Sequence, residues 1–139
     1  MNLRPFHLAI PVTDIEIAHD FYVKKLDCKV GRQSREWMDF DFFGHQLVAH
    51  LVPMEKDGIP CNPVDGEDVP SRHFGIVLKM YQWEILRNKL TSKDIKFIIE
   101  PSIRFKDEKG EQATLFIQDP SGNVLEFKAF KNDSMIFET

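Results

Sequence analysis

The sequence predicts an α+β protein built from two βαβββ modules in tandem, their strands curling as a mixed sheet around a shared cavity. Two duplications carry this expectation. HLAIPV at 7–12 is matched sixty-six residues later by HFGIVL at 73–78, each an apolar run headed by a histidine. Aligning Gly44 with Gly122, seventy-eight residues apart, lays HQLVAH over NVLEFK. The offset grows because the second copy has the longer middle loop. A repeated supersecondary unit explains both matches more simply than one continuous fold.

The first strand spans about 6–12, and Thr13 or Asp14 after it can cap a helix by accepting an orphan backbone N–H. In IEIAHDFYVKKL that follows, Ile17, Ala18, Phe21, Tyr22 and Leu26 recur at spacings of three and four. One face is therefore apolar. Strands are expected at about 29–32, 36–42 and 46–52, with Gly44 turning the chain before the last. Residues 53–71 hold four of the eight prolines, with Gly58 and Gly66. Such a segment reads as a connector outside the sheets, because prolines and glycines sustain a ladder poorly. It is a natural lid over a cavity.

The order then restarts: the strand headed by His73, a helix with Trp83, Leu86 and Leu90 on one side, and KFIIE at 96–100. A polar loop that includes Arg104 leads to ATLFIQ at 113–118, and DPSG at 119–122 turns into NVLEFKAF. The expected organisation is one domain over 1–139: a first module at about 1–52, the connector at 53–71, a second module at about 72–131 and a tail at 132–139.

Composition narrows the function. The 139 residues are 42% hydrophobic and 29% charged, with twelve phenylalanines, the balance of a globular chain with a bulky core. A net charge of -4 with scattered basic residues offers no stripe for phosphate backbones, so nucleic acid is not an expected partner. No run approaches the roughly 18 apolar residues of a membrane span, and the N-terminus lacks the layout of a secretory leader. Cys28 and Cys61 form no disulfide framework. Cys28 reads as a small core residue and Cys61 as a loop thiol, and a cytoplasmic location is expected.

The histidines at the heads of the two matching strands carry the chemistry. Across a pseudo-two-fold, His7 and His73 can each offer an imidazole nitrogen to one point. Glu126, flanked by Leu125 and Phe127 in a strand, is a carboxylate whose burial would be costly without a partner. Two histidines and one carboxylate bind a divalent metal and leave positions open, the donor set of non-haem iron(II) oxygenases. A lone histidine on an apolar strand is more often structural; the duplication with a carboxylate partner reverses that preference. His50 shares a strand face with Gln46 and Val48, and reads as an acid/base group, a residue supporting the site, or a fourth ligand. His45 and His19 read as surface residues. Arg72 and Arg104 are candidates for bidentate binding of a carboxylate or phenolate.

HLAIPVTDIEIAHDFYVKKL, DFDFFGHQLVAHL, the HFGIVL strand and DPSGNVLEFKAF together resemble the vicinal oxygen chelate superfamily of glyoxalase I, bleomycin resistance proteins and extradiol dioxygenases. The resemblance covers nearly the whole chain. DFDFFGHQLVAHL and NPVDGEDVPSRHFG are most similar to a bacterial group of extradiol-type dioxygenases. It implies His7, His73 and Glu126 as ligands of Fe(II) or Mn(II), with Zn(II) or Ni(II) as alternatives, in a homodimer acting on a small molecule. The usual fourth ligand of glyoxalase I falls on Val48, which cannot bind a metal. An extradiol-type dioxygenase acting on an aromatic or enolic substrate with vicinal oxygens is therefore expected, with His50 moving a proton. A glyoxalase-like isomerase, epimerase or lyase, and a non-catalytic binder of a small molecule or antibiotic, remain as alternatives.

Overall fold

The computed structural model describes residues 3–53, 61–64, 66–70 and 72–138. They form a mixed α+β fold with two four-stranded sheets, in two compact units. The first comprises Met1–Lys56 with the turn Asp119–Asn123, and the second Asp57–Gln118 with Val124–Thr139.

In the first unit, β1 (His7–Val12), β2 (Lys29–Gln33), β3 (Trp37–Phe42) and β4 (His45–Leu51) form a sheet of order β1-β4-β3-β2. β1 runs parallel to β4, and the other pairs are antiparallel. Asp14 is the helix cap, its Oδ1 accepting from the Ile17 N–H at 2.9 Å. The helix begins as α1 (Ile15–His19) and continues with π-type winding over Asp20–Lys25. The wider turn still buries Ala18, Phe21, Tyr22 and Leu26 with Met38, Phe40, Leu47 and Ala49. Asp27, at φ 56°, ends it, a left-handed position that Asp tolerates better than most residues. Buried Cys28 follows, as expected, and burial pushes its thiol up to about 12.

The turn Asp119–Asn123 completes this unit's hydrogen bonding. The Tyr22 hydroxyl donates to Asp119 Oδ2 at 2.7 Å, Asn123 Nδ2 to the Pro11 carbonyl at 2.7 Å, and the Thr13 N–H to Ser121 Oγ at 2.9 Å. Asp119 also accepts from the Ser121 and Asn123 N–H groups and from Asn123 Nδ2. Four donors therefore converge on one buried carboxylate.

The second unit repeats the plan. β7 (Phe74–Val77), β8 (Lys96–Arg104), β9 (Gln112–Gln118) and β10 (Val124–Phe130) form a sheet of order β7-β10-β9-β8, again with one parallel pair, β7 with β10. The registers match as well: Ala9 lies opposite Val48 in the first unit, and Gly75 opposite Glu126 in the second. These are the pairs that the two sequence offsets equate. Helix α2 (Met80–Thr91) buries Trp83, Leu86 and Leu90 and packs on β9 and β10. Trp83 Nε1 donates to the Phe127 carbonyl at 2.8 Å.

Four expectations are corrected. The connector does build a ladder: β5 (Cys61–Val64) and β6 (Glu67–Pro70) pair as an antiparallel hairpin, apart from both larger sheets. Among the described residues each of its strands pairs on one side only, and on the other a proline's missing N–H is tolerated; Gly66 supplies the positive φ of the turn. Cys61 accordingly has strand backbone rather than loop backbone; residues 54–60, 65 and 71 of the connector lie outside the described residues. Arg104 is not in a loop but ends β8 and is buried. His45 Nδ1 accepts the Phe6 N–H at 2.8 Å, extending the β1–β4 pairing rather than simply facing solvent. Among the described residues no helix is long and apolar enough to cross a membrane.

Candidate metal centre

Glu126 occupies the middle of β10, where alternation places Val124, Glu126 and Lys128 on one face of the sheet. The other face is committed to packing: Leu125, Phe127 and Ala129 are fully buried. Glu126 is 8% exposed, so its charge needs partners. Thr114 Oγ1 donates to Oε2 at 2.6 Å, and His73 Nε2 lies 3.3 Å from Oε1. Lys128 Nζ stands 3.9 Å from Oε1. Burial pushes the carboxyl up, but the bonds from His73 and Thr114 outweigh it and hold Glu126 below its ordinary range.

His73 sits just ahead of β7, oriented at both nitrogens. Its Nδ1 is 2.6 Å from the Pro70 carbonyl. A carbonyl only accepts, so Nδ1 carries a proton. In neutral imidazole Nε2 is then a lone pair aimed at a carboxylate oxygen, an arrangement that calls for a positive charge between them. In the metal-free protein that charge is a proton, and the bond to Glu126 raises the His73 pKa above its ordinary value. A divalent ion meets the same need. Nitrogen and oxygen ligands each about 2.1 Å from one metal lie roughly 3.0–3.4 Å apart at angles near 90–110°, and the pair is 3.3 Å apart. The donor set fits. The His73 and Phe116 rings also meet in a T-shaped arrangement, with centroids 4.9 Å apart.

His7 carries the same tautomer in the first unit. Gln46 Nε2 donates to Asp39 Oδ2 at 3.4 Å, which turns Oε1 toward His7 Nδ1 at 2.9 Å. Nδ1 must then carry the proton, and Nε2 keeps its lone pair. Ligand histidines in metalloproteins are commonly fixed this way, the far nitrogen donating to an oxygen. His50 lies exposed on β4 opposite Trp37, and Val48, buried, opposite Asp39.

The structure thus brings His73 and Glu126 together. Among the described residues no three His, Cys, Asp or Glu side chains form a complete metal site. Sequence reasoning missed Thr114, Gly75 and Lys128. Thr114 was visible as a polar residue inside ATLFIQ, spaced two from Phe116. Gly75 lies opposite Glu126 so closely that a Cβ there would fall on the Glu126 carbonyl. Only glycine lets β7 approach β10 at the register that delivers His73.

The fold defines a class. The chain belongs to the glyoxalase/bleomycin resistance protein/dioxygenase superfamily, whose pattern matches residues 4–127. A solved glyoxalase/bleomycin resistance protein/dioxygenase from Alicyclobacillus acidocaldarius is 38% identical, covers 96% of each chain and superposes with a TM-score of 0.83. Two more distant structures share the fold. A genomically encoded fosfomycin resistance protein from Listeria monocytogenes is 10% identical over 97% of this chain and 98% of its own, TM-score 0.68. An integron cassette protein from V. cholerae is 18% identical over 93% and 96%, TM-score 0.62. No curated protein matches the chain.

Proposed function

We propose that the protein is a cytoplasmic, homodimeric, metal-dependent enzyme of extradiol-dioxygenase type, acting on a small aromatic or enolic molecule with vicinal oxygens. The observation that carries the metal reading is the matched tautomer: His7 and His73 each have Nδ1 held by an oxygen, and Nε2 of His73 faces Glu126. In this reading His7, His73 and Glu126 hold one divalent ion, Fe(II) or Mn(II), with Zn(II) or Ni(II) as substitutes. When bound, the ion supplies a Lewis acid for two vicinal substrate oxygens and, if redox-active, electrons for reaction with dioxygen. Val48, at the position equivalent to Glu126, provides no fourth ligand. That favours an open three-ligand set over the glyoxalase-like isomerase or lyase.

The chain's own residues divide the remaining work. Thr114 fixes the Glu126 carboxylate through Oε2, and Oε1 would be the oxygen offered to a metal. Gln46 and the Pro70 carbonyl hold the histidine tautomers. His50, exposed on its strand, accepts the proton that an enolic or phenolic substrate gives up on binding.

The test is an anaerobic titration of metal into chelator-treated protein. His7→Ala, His73→Ala and Glu126→Ala each lose most of the affinity while remaining folded, and His50→Gln retains it. Wild-type stoichiometry in all three alanine variants refutes the ligand set. A large loss in His50→Gln makes His50 a ligand and moves the reading to the isomerase or lyase. Oxygen uptake with a candidate substrate separates dioxygenase from isomerase.

A further inference from the structure

The end of β8 carries a cation that the metal site does not use. Arg104 is 7% exposed, and its Nε and Nη2 have no hydrogen-bond partner among the described residues. A charged side chain is almost never buried without a partner. Its guanidinium lies over the Phe116 ring, 5.4 Å from the centroid, a contact that favours the charge but satisfies neither N–H group. The two unpartnered nitrogens are those whose N–H bonds run side by side along one edge of the guanidinium. That edge matches the two oxygens of a planar carboxylate.

The register of the second sheet places this fork beside the candidate metal ligands. Arg104 pairs with Gln112 across β8 and β9, and Phe116 pairs with Glu126 across β9 and β10. Alternation puts Gln112, Thr114 and Phe116 on one face, so Arg104 and Glu126 share it. Phe116 touches both ends of the arrangement: the guanidinium at 5.4 Å and the His73 ring at 4.9 Å. Phe116 is itself fully buried, so a molecule about as long as one substituted ring, meeting Arg104 at one end and the His73–Glu126 pair at the other, must displace the side chains that cover it. Val69 of β6 and Ile99 of β8 belong to the same buried apolar cluster as Phe116, so the surroundings that such a molecule enters are apolar.

We propose that Arg104 is the anion receptor of this site, binding through Nε–H and Nη2–H the carboxylate of a small substrate whose vicinal oxygens face His73 and Glu126. The proposal rests on reading this face as the substrate site, although the Arg104 contact itself needs no metal. Both nitrogens are closed to bulk water, so the side chains that cover them must part to admit the anion.

The test uses chelator-treated full-length protein with benzoate as probe and neutral benzamide as its isosteric control, followed by the arginine Nε–H resonances in proton–nitrogen NMR. The resonance absent from Arg104→Met is that of Arg104. Benzoate shifts it saturably and benzamide does not. Benzoate affinity falls about tenfold or more in Arg104→Met, as loss of a bidentate charged contact requires. Arg104→Lys, which keeps the charge without the fork, fails to restore it. Because the methionine removes an unpaired buried charge, its Tm stays at or above that of wild type. The proposal is overturned if the Arg104 resonance does not move by about 50 mM benzoate, an affinity too weak for a built site, or if benzamide moves it equally. It is overturned too if both variants unfold many degrees early with benzoate binding unchanged. Loss of metal binding with the benzoate shift intact would sink the metal reading alone; the reverse would sink only this one.

Discussion

Replacing Gly75 with alanine tests the construction of the site at its narrowest point. The added Cβ would fall on the carbonyl group of Glu126, whereas ordinary contact begins at 3.4 Å. The obstacle is backbone, so no rotamer change relieves it. β7 must move from β10 by roughly 2 Å, more than a packed interior absorbs without losing contacts. Overpacking typically costs about 1–3 kcal/mol, and each ladder bond weakened adds about 1 kcal/mol. About 3 kcal/mol or more is expected, and for a chain of this size a fall in Tm of roughly 10 °C. The same shift carries His73 away from Glu126, so affinity for a divalent ion drops about tenfold or more, as when a supporting group is lost. Thermal unfolding by circular dichroism and calorimetric metal titration read the two effects. Gly44→Ala is the control: nothing lies within 4 Å of its Cβ, and only its φ of 85° opposes a side chain, at about 1–2 kcal/mol. A Gly75→Ala protein with the Tm and metal affinity of wild type would refute the claim that this approach sets the site.

Two further outcomes follow from the same structure. Tyr22→Phe removes a buried donor to a carboxylate, worth about 1.5–3 kcal/mol, and should lower the urea midpoint without changing the slope; a loss under about 0.5 kcal/mol would mean that the other donors to Asp119 suffice. In the metal-free protein, His73 is raised by its bond to Glu126 from an ordinary 6.5, so its stabilisation is full below that value and lost as pH climbs through the folded pKa. Glu126 is lowered from 4.5, so its share is present above 4.5 and lost as pH falls through its folded pKa. The stability difference between wild type and Glu126→Gln should therefore be greatest between pH 4.5 and 6.5, and a difference that grows steadily above pH 8 would contradict the pairing.

Much of this was legible in the chain because duplication writes the same information twice. The two sequence offsets equate Ala9 with Gly75 and Val48 with Glu126, and the two parallel registers pair those residues in both units. The helix faces were equally open to reading, since Phe21, Tyr22, Trp83 and Leu90 keep helical spacing even where the first helix widens to π geometry. Arg104 was obscured by Pro101, which reads as a strand breaker. β8 is an edge strand, and a register shift between Ile99 and Ser102 absorbs the proline and carries the strand on to Arg104. Thr114 and Gly75 act through geometry across strands, which spacing along one strand does not reveal. The hairpin β5–β6 escaped for the opposite reason: its composition argued against strands, yet a two-stranded ribbon asks so little of its edges that Pro63 and Pro70 fit.

The turn Asp119–Asn123 bears on the order in which the chain becomes a protein. Its bonds to Pro11, Thr13 and Tyr22 join residues 97 to 112 positions apart, the longest closures among the hydrogen bonds described. Closing such loops costs conformational entropy that local pairing does not, and high sequence separation slows folding. On the ribosome, the first βαβββ copy is complete as a sequence long before Asp119 emerges. Until then Tyr22 has a buried hydroxyl without its acceptor. The first copy, cut out alone, would not be a small finished domain, because Pro11, Thr13 and Tyr22 would lack the partners that the turn supplies.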